Sequence, residues 1–348
     1  MLGGVDGDNY IYLNGNYIVY FDGYTLHKKA LRAGEKLISE FPDSIDLKIS
    51  NRCKSGCPFC HENSVPTGNI FDIQKTIDLL EPLKEIPVEL AIGGGNILEI
   101  VPEVNQFLDW ILGETKLRPR CTVRIEDLLG ATKEQKELLR RFEAIGLSIN
   151  HIPDDMRKMP RNQSDYYNDK YCGRFDSTKT AEYLAEKLEL DNTDKEFTDR
   201  KVSRFVFQVI AGVISTKDLK FLLEHTSIPV LILGYKNWGR AINLGLPDTI
   251  ADTEKLVKKF MFKTRYSWNG RKFPGCKCLV FDNLSLEQLH IKDTISDEEW
   301  DCYYMGDEGE HSMYIDAVQG QFARNSCSPD RVPWNDINLL DYFKTLRK

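Results

Sequence analysis

Short β-rich runs alternate with amphipathic segments along this chain from Ile45 onward, and the alternation leaves few folds open to it. An amphipathic helix must bury its apolar stripe against neighbouring strands, so the pattern reads as βα units around a parallel sheet. Strands are expected over residues 45–50, 88–92, 121–125, 147–151, 204–210, 229–233 and 278–281. Helices fit between them at 73–80, 101–112, 133–144, 178–188, 216–225 and 253–262. With 348 residues and 41% hydrophobic content, the chain can fill one barrel-sized core and carry decorations.

Both ends read as additions to that body. Tyr10-Ile11-Tyr12-Leu13, the turn Asn14-Gly15-Asn16 and Tyr17-Ile18-Val19-Tyr20 form one hairpin signal, because Asn-Gly supplies the positive φ angles of a tight turn. Residues 313–318, the turn Gln319-Gly320 and Gln321-Phe322-Ala323 form another. A lone hairpin is marginal in water, so both are expected to pack on the βα body or on one another and to help close its open side. The expected division is 1–44 for the N-terminal hairpin and a lead-in helix, 45–282 for the βα body, and 283–348 for a C-terminal extension. The polar stretch 153–177, with Tyr166, Tyr167, Tyr171 and Cys172, is long for a connection and reads as a lid or a surface insertion.

The balance of 46 Lys+Arg against 53 Asp+Glu gives net −7, and no Lys/Arg cluster is dense enough to track phosphates, so nucleic acid is not an expected partner. No apolar run approaches the ~18 residues of a membrane span, and no signal-peptide pattern opens the sequence. Nine cysteines, an odd number, do not suggest a disulfide framework. A reducing cytoplasm is the expected compartment.

Cys53, Cys57 and Cys60 stand as C-x3-C-x2-C directly after the first strand of the βα body. Three thiolates so spaced can hold three irons of a 4Fe-4S cluster, and no fourth cysteine is near to close the site. A zinc site would want a fourth Cys or His a few residues away, and His61, adjacent to Cys60, is poorly placed to share a tetrahedral ion. After the second strand, Gly93-Gly94-Gly95-Asn96 reads as a turn or as backbone shaped for close approach to a ligand.

This cysteine loop resembles that of the radical S-adenosylmethionine (SAM) enzymes, including the aromatic Phe59 just before the third cysteine. The resemblance covers about residues 45–282 and implies an α/β fold, a partial (βα)6 TIM-like barrel with N- and C-terminal β-hairpin additions. In such barrels the site lies on loops at the carboxyl ends of the strands. The resemblance further implies that Cys53, Cys57 and Cys60 hold the 4Fe-4S cluster, and that the Gly93–Gly95 backbone with Asn96 meets the methionine amino group. In that family an acidic residue often stands where this chain has Asn96. Ser148 and Asn150, ending the fourth strand, are implied to bind the SAM ribose and carboxylate, with capping of the following loop as the plain structural reading. Ile210, ending the fifth strand, with Leu233 and Gly234, ending the sixth, would pack the adenine. SAM and an external electron donor such as flavodoxin or ferredoxin are the cofactor and partner implied.

Arg124 and Glu126, read on one face of the third strand, either reach a ligand or pair with each other. Tyr235, Lys236 and Arg240 project near the barrel top and suit an anionic substrate, a solvated face being the alternative for Lys236. Cys276, Cys278, Cys302 and Cys327 raise an auxiliary cluster, but Cys276-Lys277-Cys278 is too tight for the usual ligand pair, and buried thiols are the expected reading. Cys121 and Cys172 read as buried apolar residues. The expected function is radical SAM chemistry on a peptide or protein. The alternatives are the same chemistry on a nucleotide-like small molecule, or an iron-sulfur binding or sensor protein without turnover.

Overall fold

The computed structural model describes residues 5–6, 9–21, 26–157, 178–188, 204–226, 228–266 and 278–347. The N-terminal part is a four-stranded antiparallel sheet, β1 (Val5–Asp6), β2 (Asn9–Asn14), β3 (Tyr17–Phe21) and β4 (Leu26–Ala30). The β2–β3 turn is the two-residue Gly15-Asn16, since Asn14 still pairs with Tyr17, and Gly15 alone takes positive φ, +60°, where the Asn-Gly reading put Asn14 in the turn as well. β1 and β4 extend the expected hairpin on either side, and the described residues before β5 include no lead-in helix, because 31–43 run as turns and irregular chain.

The remaining strands are β5 (Ser44–Ser50), β6 (Glu89–Gly94), β7 (Arg118–Arg124), β8 (Ala144–Ser148), β9 (Phe205–Ile210), β10 (Val230–Leu233), β11 (Leu279–Phe281), β12 (Ser312–Asp316), β13 (Gln321–Ala323) and β14 (Val332–Pro333). They form one ten-stranded sheet in the order β11-β10-β9-β8-β7-β6-β5-β12-β13-β14. β5 to β11 pair in parallel, with helices in the connections between them, and this is the partial (βα)6 barrel. The C-terminal hairpin β12–β13 enters the same sheet, β12 lying parallel to β5.

Several boundaries differ from expectation, β7 and β8 starting early at Arg118 and Ala144 and a later helix running over Ile250–Tyr266, and three of the differences bear on the site. β7 stops at Arg124 because Ile125 opens a helix (Ile125–Leu129), which takes Glu126 off the strand. The next helix ends at Arg140, since Ala144 already pairs with Arg120 in β8. β8 ends at Ser148, which puts Asn150 in the following loop. The expected lid begins with a helix at Asp154–Arg157, and residues 158–177, with the three tyrosines and Cys172, lie outside the described residues.

Period-two alternation assigns the two faces of the sheet. Ile45, Leu47 and Ile49 of β5 and Leu90 and Ile92 of β6 share the main apolar cluster with Phe107, Leu108 and Ile111 of helix Val101–Glu114. Asp46, Lys48, Glu89, Arg120, Thr122 and Gln208 occupy the alternate positions, and several pair across strands. Arg120 Nη1 lies 2.9 Å from Glu89 Oε1, and Thr122 Oγ1 donates to Gln208 Oε1 at 3.2 Å. The helix-covered face is the core, and the other face carries these polar side chains.

The N-terminal sheet seats at the amino ends of β5 and β12, opposite the rim that carries the cysteines. Buried Asp43 accepts from Tyr12 (3.1 Å), Asn14 (2.7 Å) and Tyr17 (2.7 Å) and pairs with Lys28 at 2.7 Å. His311, just before β12, joins this group with Nδ1 2.5 Å from Ser39 Oγ. Burial, with Lys28 beside it, holds the His311 imidazole down to about 4 from an ordinary 6.5, Asp43 opposing only in part. A histidine depressed in the fold stays neutral while the unfolded chain takes up a proton, so its contribution is complete above pH 6.5 and is lost as the pH falls toward 4. The loss amounts to roughly 2–3 kcal/mol. Urea midpoints followed from neutral pH to pH 4 should fall more steeply for the parent than for His311→Gln, and parallel curves would refute the assignment.

Candidate active site

β5 runs out at Ser50, with a register shift against β6 between Lys48 and Ser50, and its continuation is the cysteine loop. Cys53 N donates to Val65 O and Val65 N to Asn51 O, both at 2.9 Å, which closes the base of the loop. Gly56, at φ +62°, turns the chain between Cys53 and Cys57. The tip is closed by Cys60 N donating to Cys57 O at 3.2 Å.

The glycine run holds this loop to the sheet. Gly95 N donates to Ser50 O at 2.6 Å and Asn96 N to Arg52 O at 2.8 Å. A Cβ on Gly94 would lie 2.5 Å from Ser50 O, and one on Gly95 would lie 2.2 Å from Arg52 O. These two glycines therefore admit the backbone of the cysteine loop, not a ligand. Among the described residues a Cβ on Gly93 would meet nothing within 4 Å, so that glycine alone in the run faces open space there. The Asn96 side chain is already engaged, capping Leu98 N at 3.0 Å and donating to Asp127 at 3.1 Å.

The three thiols are half-buried and close enough to feel one another's charge. Burial pushes the Cys57 thiol up, Arg124 pulls it down, and Cys53 and Cys60 push it up again. Three thiolates in one such pocket repel each other unless a polycationic group takes up their charge. A donor set of three sulfurs, on a loop whose sequence carries no fourth cysteine, fits a 4Fe-4S cluster with one open corner. Among the described residues no three Cys, His, Asp or Glu side chains are grouped about a single ion-sized point. A cubane differs in holding each iron at a separate corner with its own thiolate. Phe59 packs, partly buried, on the main apolar cluster. Arg124 is ion-paired with Glu126 at 3.1 Å, which bears out the reading of these two as an internal pair.

A buried charge network fixes the far end of the loop. Lys48 Nζ lies 2.7 Å from Glu62 and 3.1 Å from Asp316, all three side chains at most 10% exposed. Tyr314 of β12 donates to Glu62 at 3.2 Å, and His61 Nε2 lies 3.3 Å from it. Burial alone would raise the Glu62 carboxyl, but His61 and Lys48 hold it down to about 2. Burial opposes the Lys48 charge, yet Glu62 and Asp316 outweigh it and raise its pKa. Motif reasoning passes over Lys48, Glu62, Asp316 and Tyr314. The signal lies in Ile45-Asp46-Leu47-Lys48, where polar residues alternate with apolar ones and so must share a face.

Because the strands are parallel, Gly93, Arg124, Ser148, Ile210 and Leu233 end at the same rim as the cysteines. In the loop beyond Ser148, Asn150 Oδ1 is buried and has no hydrogen-bond partner among the described residues. Gly234 has another explanation than adenine contact, since a Cβ there would lie 2.4 Å from Leu284 of the helix after β11. Lys236 is not on a solvated face, for its Nζ donates to Ser326 Oγ at 2.8 Å. Arg240 does not face an open anion site either. Its guanidinium is bound to carbonyls of the cysteine loop.

The later cysteines are dispersed in character. Cys278 and Cys302 are exposed, against the expectation of buried thiols, Cys327 is half-buried beside Ser326, and Cys276 lies outside the described residues. Cys121 is buried as expected, which pushes its thiol up.

No protein-family model and no curated protein sequence matches this chain. Its fold does match solved structures. Streptococcus suis SuiB bound to precursor peptide SuiA superposes with a TM-score of 0.55 at 13% identity, over 88% of this chain and 65% of that one. A further SuiB structure gives 0.50 at 16% identity, over 88% and 66%. SuiB bound to S-adenosylmethionine gives 0.48 at 14% identity, over 88% and 64%. At these identities the likeness is one of fold, and this chain spans 65% of the length of the first of these neighbours.

Proposed function

We propose that this chain is a radical SAM enzyme acting on a peptide. The observation that carries the reading is the set of three half-buried thiols, with no fourth cysteine in the same loop, on the segment that leaves the first barrel strand at the carboxyl rim of a parallel sheet. When bound, the 4Fe-4S cluster and SAM supply one-electron reductive cleavage of the sulfonium, giving a 5′-deoxyadenosyl radical that abstracts hydrogen from the substrate.

The chain's part is to bind, orient and exclude water. Cys53, Cys57 and Cys60 hold the cluster, and the open space at Gly93 admits the methionine end of SAM. Asn150 Oδ1 accepts a hydrogen bond from the cofactor, and Ile210 and Leu233 give the adenine an apolar seat at the ends of β9 and β10. The barrel residues 45–282 carry this work, and the added ends support it. A peptide substrate is favoured because the fold neighbour at TM-score 0.55 was solved with a precursor peptide bound. Among the described residues no helix is long and apolar enough to cross a membrane. A reducing cytoplasm with a flavodoxin or ferredoxin as electron donor fits the free thiols.

The test is anaerobic reconstitution with iron and sulfide, followed by SAM and dithionite. Release of 5′-deoxyadenosine is expected even without substrate. A preparation with an intact cluster that releases none would instead be an iron-sulfur binding or sensor protein.

A further inference from the structure

Arg240 reaches the cysteine loop from five strands away in the sheet order, since it follows β10 and the loop follows β5. Its Nε donates to Cys57 O at 3.2 Å, its Nη1 to Ser64 O at 2.6 Å, and its backbone N to Cys60 O at 3.0 Å. Two of these three acceptors are carbonyls of the cysteines themselves. The residue before it, Gly239, has φ +58°, and a Cβ there would lie 2.3 Å from His61 O and 2.9 Å from Cys60 O. The pair Gly239-Arg240 thus brings two chain segments into backbone contact and then binds one to the other.

We infer that Arg240 is a positioning residue that clamps the cysteine loop in its cluster-holding shape and lends positive charge to the cluster. The inference rests on the reading of Cys53, Cys57 and Cys60 as cluster ligands. A planar guanidinium with five N–H donors can span two carbonyls at once, whereas an ammonium can meet one of them but keeps the charge. Geometry and charge are therefore separable by substitution. The two-carbonyl span from Cys57 to Ser64 is lost in Arg240→Gln and Arg240→Lys alike, while the positive charge is lost only in the glutamine variant. A nearby positive charge favours the reduced cluster, so its removal lowers the midpoint potential.

The experiment compares reconstituted parent, Arg240→Lys and Arg240→Gln. It reads iron content, the rate at which a chelator bleaches the cluster, and the cluster's midpoint potential by EPR-monitored titration. Both variants should bleach roughly tenfold faster than the parent, the scale on which groups supporting metal ligands act. The potential should fall in Arg240→Gln and stay at the parent value in Arg240→Lys. Far-UV circular dichroism checks that the variants are folded. Should the glutamine variant not fold, the lysine variant decides alone, through faster bleaching at unchanged potential. Parent-like bleaching in a folded variant overturns the clamp, as does an equal fall in potential in both variants. A parent that binds no iron would overturn the cluster reading instead, so the two failures are told apart.

Discussion

Cys53→Ala, Cys57→Ala and Cys60→Ala should each abolish release of 5′-deoxyadenosine and the brown cluster absorbance, because three thiolates are the least that can hold a cubane with one corner free. The loop should survive each change. Its shape rests on backbone bonds from Cys53 to Val65, from Gly95 to Ser50 and from Asn96 to Arg52, none of which uses a sulfur. Loss of activity should therefore come with an unchanged circular dichroism spectrum. Cys121→Ala is the control, since that thiol is buried in the apolar cluster on β7 and should leave iron content at the parent level. The parent should carry about four irons per chain, and the triple replacement should carry none. Cleavage retained by any single variant would overturn the assignment. Iron retained at about four per chain in the triple variant would reveal a second cluster on the later cysteines.

Lys48→Met should be the most destabilising single change in the barrel, even in protein without a cluster. Lys48 compensates two buried carboxylates, Glu62 on the cysteine loop and Asp316 on β12. Methionine fills similar space but leaves both charges without this counter-ion. Breaking a buried pair by removing one partner costs about 3–5 kcal/mol. At about 2–4 °C per kcal/mol this lowers the melting temperature by on the order of 10 °C. The cost comes from the stranded charges, not from lost attraction, so Lys48→Met combined with Glu62→Gln and Asp316→Asn should recover most of it. A thermal melt of the parent, the single variant and the combined variant reads this directly, and a fall of under about 1 kcal/mol in the single variant would show that water reaches the network.

Sequence alone determined what depends on neighbours along the chain. The cysteine spacing, the tight turn at Gly15 and the apolar periodicities of 3.6 and 2 are local, and helices Ile73–Leu80 and Thr216–His225 fall where those periodicities put them. Strand ends are less legible, because Asn150 and Glu126 could continue a strand by propensity and leave it only where a partner strand or a new helix intervenes. Tertiary structure decided what the glycines and charges are for. Gly94 and Gly95 admit the cysteine loop, Gly234 admits Leu284, and of these four rim glycines only Gly93 faces open space among the described residues. Likewise Arg240 meets Cys57 across 183 positions, and Lys48 meets Asp316 because β12 lies beside β5. These contacts depend on how far the sheet curls and which strand becomes its neighbour. A two-residue repeat says which side chains share a face, but it carries no record of what the opposite rim will bring to them.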